Sequence, residues 1–577
     1  MCIFIVLKYI PLMKKSFLLS IFLTCCVIVI AQGSYLPLGS NVYHYLDRME
    51  IKTGMMNSFH TTSKPYDRKM IMDFASKVDT GDIDLELTRM DEKNIEYIYK
   101  DNFEFDEDEN IERRERGVLG FMYKHPANFI SVETPHFKAA LNPAAYIRIG
   151  NEFDEKSFKM FNSKGFELRG QIDKWVSFYA LFSSEQGRFS NYINQYVGNY
   201  KVVPHAGYWK EYKNGGYDYF LSKGYVTLSP SKHIQFQFGY DNNFIGNGIR
   251  SMFLSDFSNN YLFFKINTNV WKFNYQNIFA ELTQYYPHSS DGLLEKKYMA
   301  MHHLSFNAAK WLNIGIFESV MFSRSNHFEL QYLNPLIFYR SIEQALGSPD
   351  NAALGFDFKI NFAKHVQIYS QLLLDEMNFG QEFSVPGKGK FYGLFHPRKW
   401  WGTKFASQFG IKYIDAFGLD HLDLQLEANI VRPYTYSHMD TTTSYTHYNQ
   451  ALAHPLGANF KEIIVDLKYQ PIQQLYLNTR FIYNNLGENS KTQNWGSNPL
   501  HTYNDFVNEY GNYTGQGVKA KQFYVDAVLT YEPWHNIFID LSYIYRKKKS
   551  EDPKLSMKTH FVNVGFRWSL PYRRYEF

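Results

Sequence analysis

From about Phe137 onward, apolar residues recur at every second position in segments of about ten residues. Residues 421–430, HLDLQLEANI, set Leu422, Leu424, Leu426, Ala428 and Ile430 on one face and Asp423, Gln425, Glu427 and Asn429 on the other. At 521–531, Phe523, Val525, Ala527, Leu529 and Tyr531 alternate with Gln522, Tyr524, Asp526, Val528 and Thr530. A strand turns successive side chains to opposite faces, so such a segment needs water on one side and an apolar medium on the other. Eighteen segments of this kind run from 144–153 to 559–570. Each has the length of a tilted strand that crosses a bilayer.

The connections alternate strictly between short and long. Short ones include Asp173, Val270, Lys310, Gln470-Pro471 and Glu532-Pro533; long ones fall at 185–216, 242–260, 283–298, 323–351, 377–401, 433–458, 485–519 and 546–558, with a shorter first one near 154–164. Turns on one rim, loops on the other and an even strand number describe a bacterial outer-membrane barrel, which has no open sheet edge. The expected fold is therefore all-β and transmembrane: an antiparallel barrel of about 18 strands over residues 137–577. Long loops are expected outside the cell and both chain ends in the periplasm, Phe577 included. A mean hydropathy of -0.38 fits, because lipid-facing and lumen-facing residues average out. A propeller would repeat a motif every forty to fifty residues, and none recurs.

Residues 1–31 read as a signal peptide: Lys14 and Lys15 open it, Phe17 to Ile30 form the apolar stretch, and Val29-Ile30-Ala31 offers a cleavage site. Cys2, Cys25 and Cys26 all lie in this segment, so the mature chain carries no thiol for catalysis or metal binding. Without Lys8, Lys14 and Lys15 the charges nearly balance, which gives no field for nucleic acid. Residues 32–120 form a helical and acidic periplasmic segment. SNVYHYLDRMEI places Val42, Tyr45, Leu46 and Met49 on one helical face, and KPYDRKMIMDFASKV does so with Met70, Ile71, Phe74 and Val78. From Asp79 to Glu115 acidic residues predominate, densest in DEDEN at 106–110, which reads as a solvated connector.

Several stretches resemble the Wzi-like capsule-assembly outer-membrane proteins in the form found in Bacteroidetes. They are YLPLGSNVYHYLDRMEIKTG and KPYDRK within 35–69, and LNPAAYIRIGNE at 141–152. RPYTYSH and HYNQALAHPLGANFKE, within 432–462, look more narrowly like the gliding-motility (RemB) branch. The resemblance implies an eighteen-stranded barrel with a periplasmic helical element that holds exopolysaccharide at the cell surface.

The loops supply the candidate chemistry. In FHPRKWWGTKF, residues 395–405, Arg398, Trp400 and Trp401 join flat aromatic faces for sugar rings to a cation for uronic carboxylates. The same residues also suit a rim girdle beside lipopolysaccharide phosphates. Loop 433–458 adds Tyr434, Tyr436, His438 and Tyr448 as glycan candidates. Its histidines match no zinc spacing, and the chain has no GxSxG, HExxH, P-loop or dinucleotide motif, so neither metal, cofactor nor enzymatic activity is expected. Arg546 to Lys549 read as a solvated basic face in the last loop. Expected partners are surface polysaccharide, outer-membrane lipid and lipopolysaccharide, and motility or secretion proteins. The alternative is a diffusion channel, with Glu427, Asn429, Arg480, Asp526, Asp540 and Arg567 lining an aqueous lumen.

Overall fold

The computed structural model describes residues 33–577 except 58, 81–86, 106–126, 214, 289–291, 337, 348 and 385–395. The expected signal peptide and the DEDEN patch lie outside the described residues. Eighteen antiparallel strands close into a barrel. They are β1 Phe137–Glu152, β2 Ser157–Ile172, β3 Val176–Arg188, β4 Gly216–Ser231, β5 Ile234–Asp241 and β6 Tyr261–Val270. Next come β7 Phe273–Thr283, β8 Lys296–Ala309, β9 Leu312–Phe322, β10 Asn351–Phe362, β11 Val366–Glu376 and β12 Lys404–Tyr413. The last six are β13 Leu422–Val431, β14 Phe460–Ile472, β15 Leu475–Glu488, β16 Val518–Trp534, β17 Ile537–Ser550 and β18 Met557–Trp568. β18 seals against β1 through Phe561↔Glu152 to Trp568↔Ala145. Two short strands, Ile130–Thr134 and Lys210–Tyr212, extend the sheet at its rims. No helix among the described residues is long and apolar enough to cross a membrane.

The alternation in the sequence becomes the inside and outside of this wall. Asp423, Glu427 and Asn429 on β13 are buried toward the lumen, while Leu426 and Ile430 are exposed. Two boundaries differ from the sequence reading. β1 and β2 are joined by the tight turn 153–156, so the expected first loop near 154–164 is mostly strand. Arg546 to Lys549 belong to β17, where alternation turns Arg546 inward and leaves Lys547 and Lys549 exposed.

Eighteen strands enclose more space than wall side chains fill. Helices α1 Val42–Thr53, α2 Arg68–Asp79 and α3 Arg89–Asp101 close the short-turn mouth. α2 starts at Asp67, whose carboxylate accepts from the Lys69 and Met70 amides. α3 replaces part of the expected solvated connector: Thr88 and Asp91 form a capping box, and Asp91, Asp101 and Glu104 are buried counter-ions, while Glu92 and Glu96 stay exposed. Arg48, 1% exposed, donates to Asp423 at 2.5 Å, Asp415 at 2.8 Å and Asp91 at 3.4 Å, tying α1 to the barrel and to α3. Glu50 pairs with Lys359, Asp47 with Lys412, and Glu104 with Arg169 of the wall, at 2.6–2.7 Å. The apolar faces of the helices pack together around Leu46, Met49, Ile71, Phe74 and Ile98.

The long-loop side also sends chain inward. Residues 242–260 enter the lumen, where Phe244–Ile245 pairs with Ser63–Lys64 of the N-terminal segment and Met252, Phe253 and Leu254 are fully buried. After β18, residues 569–577 turn back and climb the lumen. Arg573 pairs with Glu185 at 2.8 Å and Arg574 with Asp526 at 3.0 Å, and the main-chain oxygen of Phe577 accepts from Gln522. Phe577 packs on Tyr192 and Tyr196 of α4, Asn191–Tyr200, which lies on the long-loop side. This corrects the expected periplasmic position of Phe577: Pro571 follows the end of the strand, and the two arginines find lumen carboxylates. The residues expected to line a water-filled pore are thus engaged: Glu427 accepts from the Ile249 and Arg250 amides, and Arg567 holds Asp540.

One loop folds outward instead. Helix α5, Tyr339–Leu346, lies on the outer wall of β7 to β9, over Tyr298, Val320 and Phe322. Beneath it His302 and Glu318, both outward in register, are buried; His302 bonds the Tyr339 hydroxyl, and the Glu318 carboxylate accepts the Arg340 amide.

Arg48 generates a test of the closure. Changing it to Ala leaves Asp423 without its guanidinium and Asp415 and Asp91 with Lys52 alone, and breaking a buried pair costs about 3–5 kcal/mol. Arg48→Ala is expected to expose residues 33–105 to protease while β1–β18 stay resistant; an unchanged digestion pattern would show that the helices are held by other means.

Candidate functional site

The loops of the long-loop rim pack against one another in two aromatic clusters. The first gathers three segments far apart in sequence. Trp401 stacks on Phe506 with ring centres 4.7 Å apart, meets Tyr503 at 4.9 Å and turns its edge to Tyr434 at 6.1 Å. Trp400 lies 5.4 Å from Trp401. Glu382 fixes this corner: its carboxylate accepts from the Trp400 amide at 2.8 Å, the Lys399 amide at 3.2 Å and the Thr403 hydroxyl at 2.7 Å. Arg398 lays its guanidinium on the Tyr510 ring, 3.6 Å from the centroid. Trp400, Trp401 and Arg398 are half-buried and keep part of their surface toward solvent.

Three other sequence candidates stand deeper. Tyr434 and Tyr436 are buried, with hydroxyls donating to Asn494 O and Met252 O at 2.9 Å each. His438 is buried with its Nδ1 2.7 Å from the Thr443 hydroxyl. These three brace the loop. Tyr434 and Tyr436 have φ of 67° and 71°, a region costly for non-glycine residues at roughly 1–3 kcal/mol each. Such a backbone persists only where its surroundings fix it, so this loop is held rigidly.

Tyr448, the remaining sequence candidate, belongs to a second cluster whose other members the sequence did not disclose. Its ring lies 4.9 Å from Tyr286, which in turn faces Tyr208 edge-on at 6.3 Å. Trp209 stacks on His288 at 4.1 Å, and the Tyr286 hydroxyl is 3.0 Å from His288 Nδ1. Tyr208 and Tyr285 are 54% and 55% exposed. The rings come from segments 189–215, 284–295 and 433–458. The only sequence signal was paired aromatics, Gly207-Tyr208-Trp209 and Tyr285-Tyr286, each in a separate loop. Rigid, half-buried rings with open faces suit the apolar faces of sugars, and Arg398 adds a cation. Among the described residues no group of three or more His, Asp or Glu stands in metal-holding geometry.

Two loop histidines set a pH response. Burial pushes His438 down to about 4, with Lys404 adding to the effect, and burial likewise pushes His447 down to about 4, both from 6.5. Their folded-state values lie below the unfolded one, so the neutral imidazoles stabilise the loop fully above about pH 6.5 and lose that contribution as pH falls toward 4. Amide protection in 433–458, taken as exchange relative to the intrinsic rate at each pH, is therefore expected to fall between pH 6.5 and 4, more than in the wall strands. An equal fall throughout would contradict this assignment.

No family model and no curated protein matches the sequence. Solved structures do match in shape. Wzi of Escherichia coli, described as an outer-membrane protein involved in group 1 capsule assembly and a carbohydrate-binding β-barrel, aligns with a TM-score of 0.56 at 12% identity, over 94% of this chain and 100% of its own. OprD of Pseudomonas aeruginosa aligns at 0.40 and 10% identity, over 74% of this chain and 94% of its own. OccK8 (OprE) of the same organism aligns at 0.39 and 9%, over 75% and 97%. The chain thus shares the barrel fold of Wzi over nearly its whole length.

Proposed function

We propose that this protein is a non-enzymatic outer-membrane barrel that binds exopolysaccharide through its long-loop face and organises it at the cell surface. The observation that carries the reading is the pair of braced aromatic clusters, which keep Tyr208 exposed and Trp400 and Trp401 half-exposed, with Tyr285 exposed next to Tyr286 of the second. Such rings would hold sugars by stacking, and Arg398 would favour acidic ones. The filled lumen agrees with a binding role, since no wide aqueous path is needed to present loops. The printed description of Wzi as a carbohydrate-binding barrel in capsule assembly supports the same reading. The long loops would face outward and the helical closure the periplasm. The finer assignment, to a Bacteroidetes gliding-motility branch with motility or secretion partners, rests on the sequence resemblance at 432–462.

The test is affinity for acidic exopolysaccharide and its retention on cells. Each stacked ring is worth about 0.5–1.5 kcal/mol beyond its buried area. Tyr208→Ala with Tyr285→Ala, and separately Trp400→Ala with Trp401→Ala, are expected to weaken binding about tenfold or more and to reduce retained polysaccharide, with the barrel intact. Parent-level binding and retention in both double variants would reject the proposal. Recovery of motility proteins by crosslinking through the loops would favour the gliding assignment; recovery of glycan alone would favour capsule.

A further inference from the structure

Between the N-terminal segment 35–47, the inserted loop 242–260 and residues 569–576, the lumen keeps a cavity of about 540 Å3. That lies within the range of small-molecule sites, about 300–1,000 Å3. Most charges around it are matched: Arg573 with Glu185, Arg574 with Asp526, Arg567 with Asp540, and Arg480 with both Asp466 and Glu576.

Lys64 breaks the pattern. Its ammonium has no carboxylate within ion-pair distance among the described residues and stands 5.0 Å from the Phe244 ring centre and 5.8 Å from that of Tyr43. The carboxylate that acts on it most, Asp47, is taken by Lys412 at 2.7 Å. Lys468 is in a similar position: among the described residues it reaches only Asp466, at 3.7 Å, and Arg480 holds that carboxylate at 2.9 Å. Lys64 and Lys468 both line this cavity, and with Lys412, which pairs with it directly, their charges overcome the burial of Asp47 and hold it down to about 2. Burial pushes Lys64 itself down to about 8, the mark of a cation short of a counter-charge. Asp256 of the inserted loop also lines the cavity and acts on Lys64, but it makes no ion pair with it, so two ammonium groups without a close ion pair stand beside room for a ligand; they suit an anion, and the rings of Tyr43 and Phe244 line the same space.

We propose that this lumen cavity binds a carboxylate-bearing sugar the size of a single uronic acid, with Lys64 and Lys468 meeting the carboxylate and Tyr43 and Phe244 flanking the ring. The site is separate from the loop-face clusters, so it stands or falls independently of the exopolysaccharide reading.

Calorimetric titration of the full-length barrel in detergent tests it, with glucuronate, glucose and inorganic phosphate as probes. Glucuronate is expected to bind, glucose to give no measurable heat at the same concentrations, and affinity to fall as salt rises. Lys64→Met with Lys468→Met should weaken glucuronate at least tenfold, whereas Lys64→Arg should retain most of the affinity, which separates lost charge from a disturbed fold. The Trp400→Ala/Trp401→Ala protein should bind glucuronate as the parent does, even where it has lost polysaccharide. Absence of glucuronate binding, equal affinity in the Met variant, or binding of phosphate without glucuronate would overturn the proposal.

Discussion

The constraint on which the rest of the molecule depends is the pairing of charge inside a barrel too wide to be filled by its own wall. Strand alternation turns polar and ionised side chains inward, and an ion removed from water without a partner is costly. The chain meets this by bringing its own opposite charges into the lumen: α1 carries Arg48 to Asp415 and Asp423 and Glu50 to Lys359, and residues 573–576 carry two arginines and a glutamate to Glu185, Asp526 and Arg480. Helices, inserted loop and returning tail are thus parts of a single solution to one electrostatic problem. Because these pairs are directional, they also set where each inserted segment sits.

Much of this architecture was legible because strand periodicity is a local property. The alternation of Leu424, Leu426 and Ala428 with Asp423, Gln425 and Glu427 needs no knowledge of neighbours, and the eighteen segments it marks are the eighteen strands. What was hidden depends on distant partners. Asp91, Asp101 and Glu104 look solvated until Arg48, Arg68 and Arg169 are brought to them, although Thr88 and Asp91 already spelled a helix start. Arg546 looks like part of a surface run until the main-chain oxygen of Phe577 arrives beside it. For the same reason Tyr208 and Tyr286 carried no signal, and Tyr448 was legible only as one residue of an aromatic loop: three loops must meet before their rings form one surface.

The loop face and the outer wall answer opposite solvents with the same device. On the loop face, Glu382 accepts three hydrogen bonds so that aromatic residues can stand partly in water. On the outer wall, α5 covers His302 and Glu318, whose register would otherwise present them to the apolar surroundings shared by Ile314 and Ile316. In each place a polar anchor fixes a segment whose exposed surface then matches its medium. Leu336, 84% exposed in the segment leading to α5, fits that pattern.

The returning tail carries a consequence for assembly. Residues 569–577 lie above the helical closure and below α4 and loop 433–458, with Pro571 packed against Gly39 of the N-terminal segment. Withdrawing this segment would strip Glu185, Asp526 and Arg480 of the wall of a charged partner at once. It acts as a keel, on which the wall and the segments packed above and below it are aligned together.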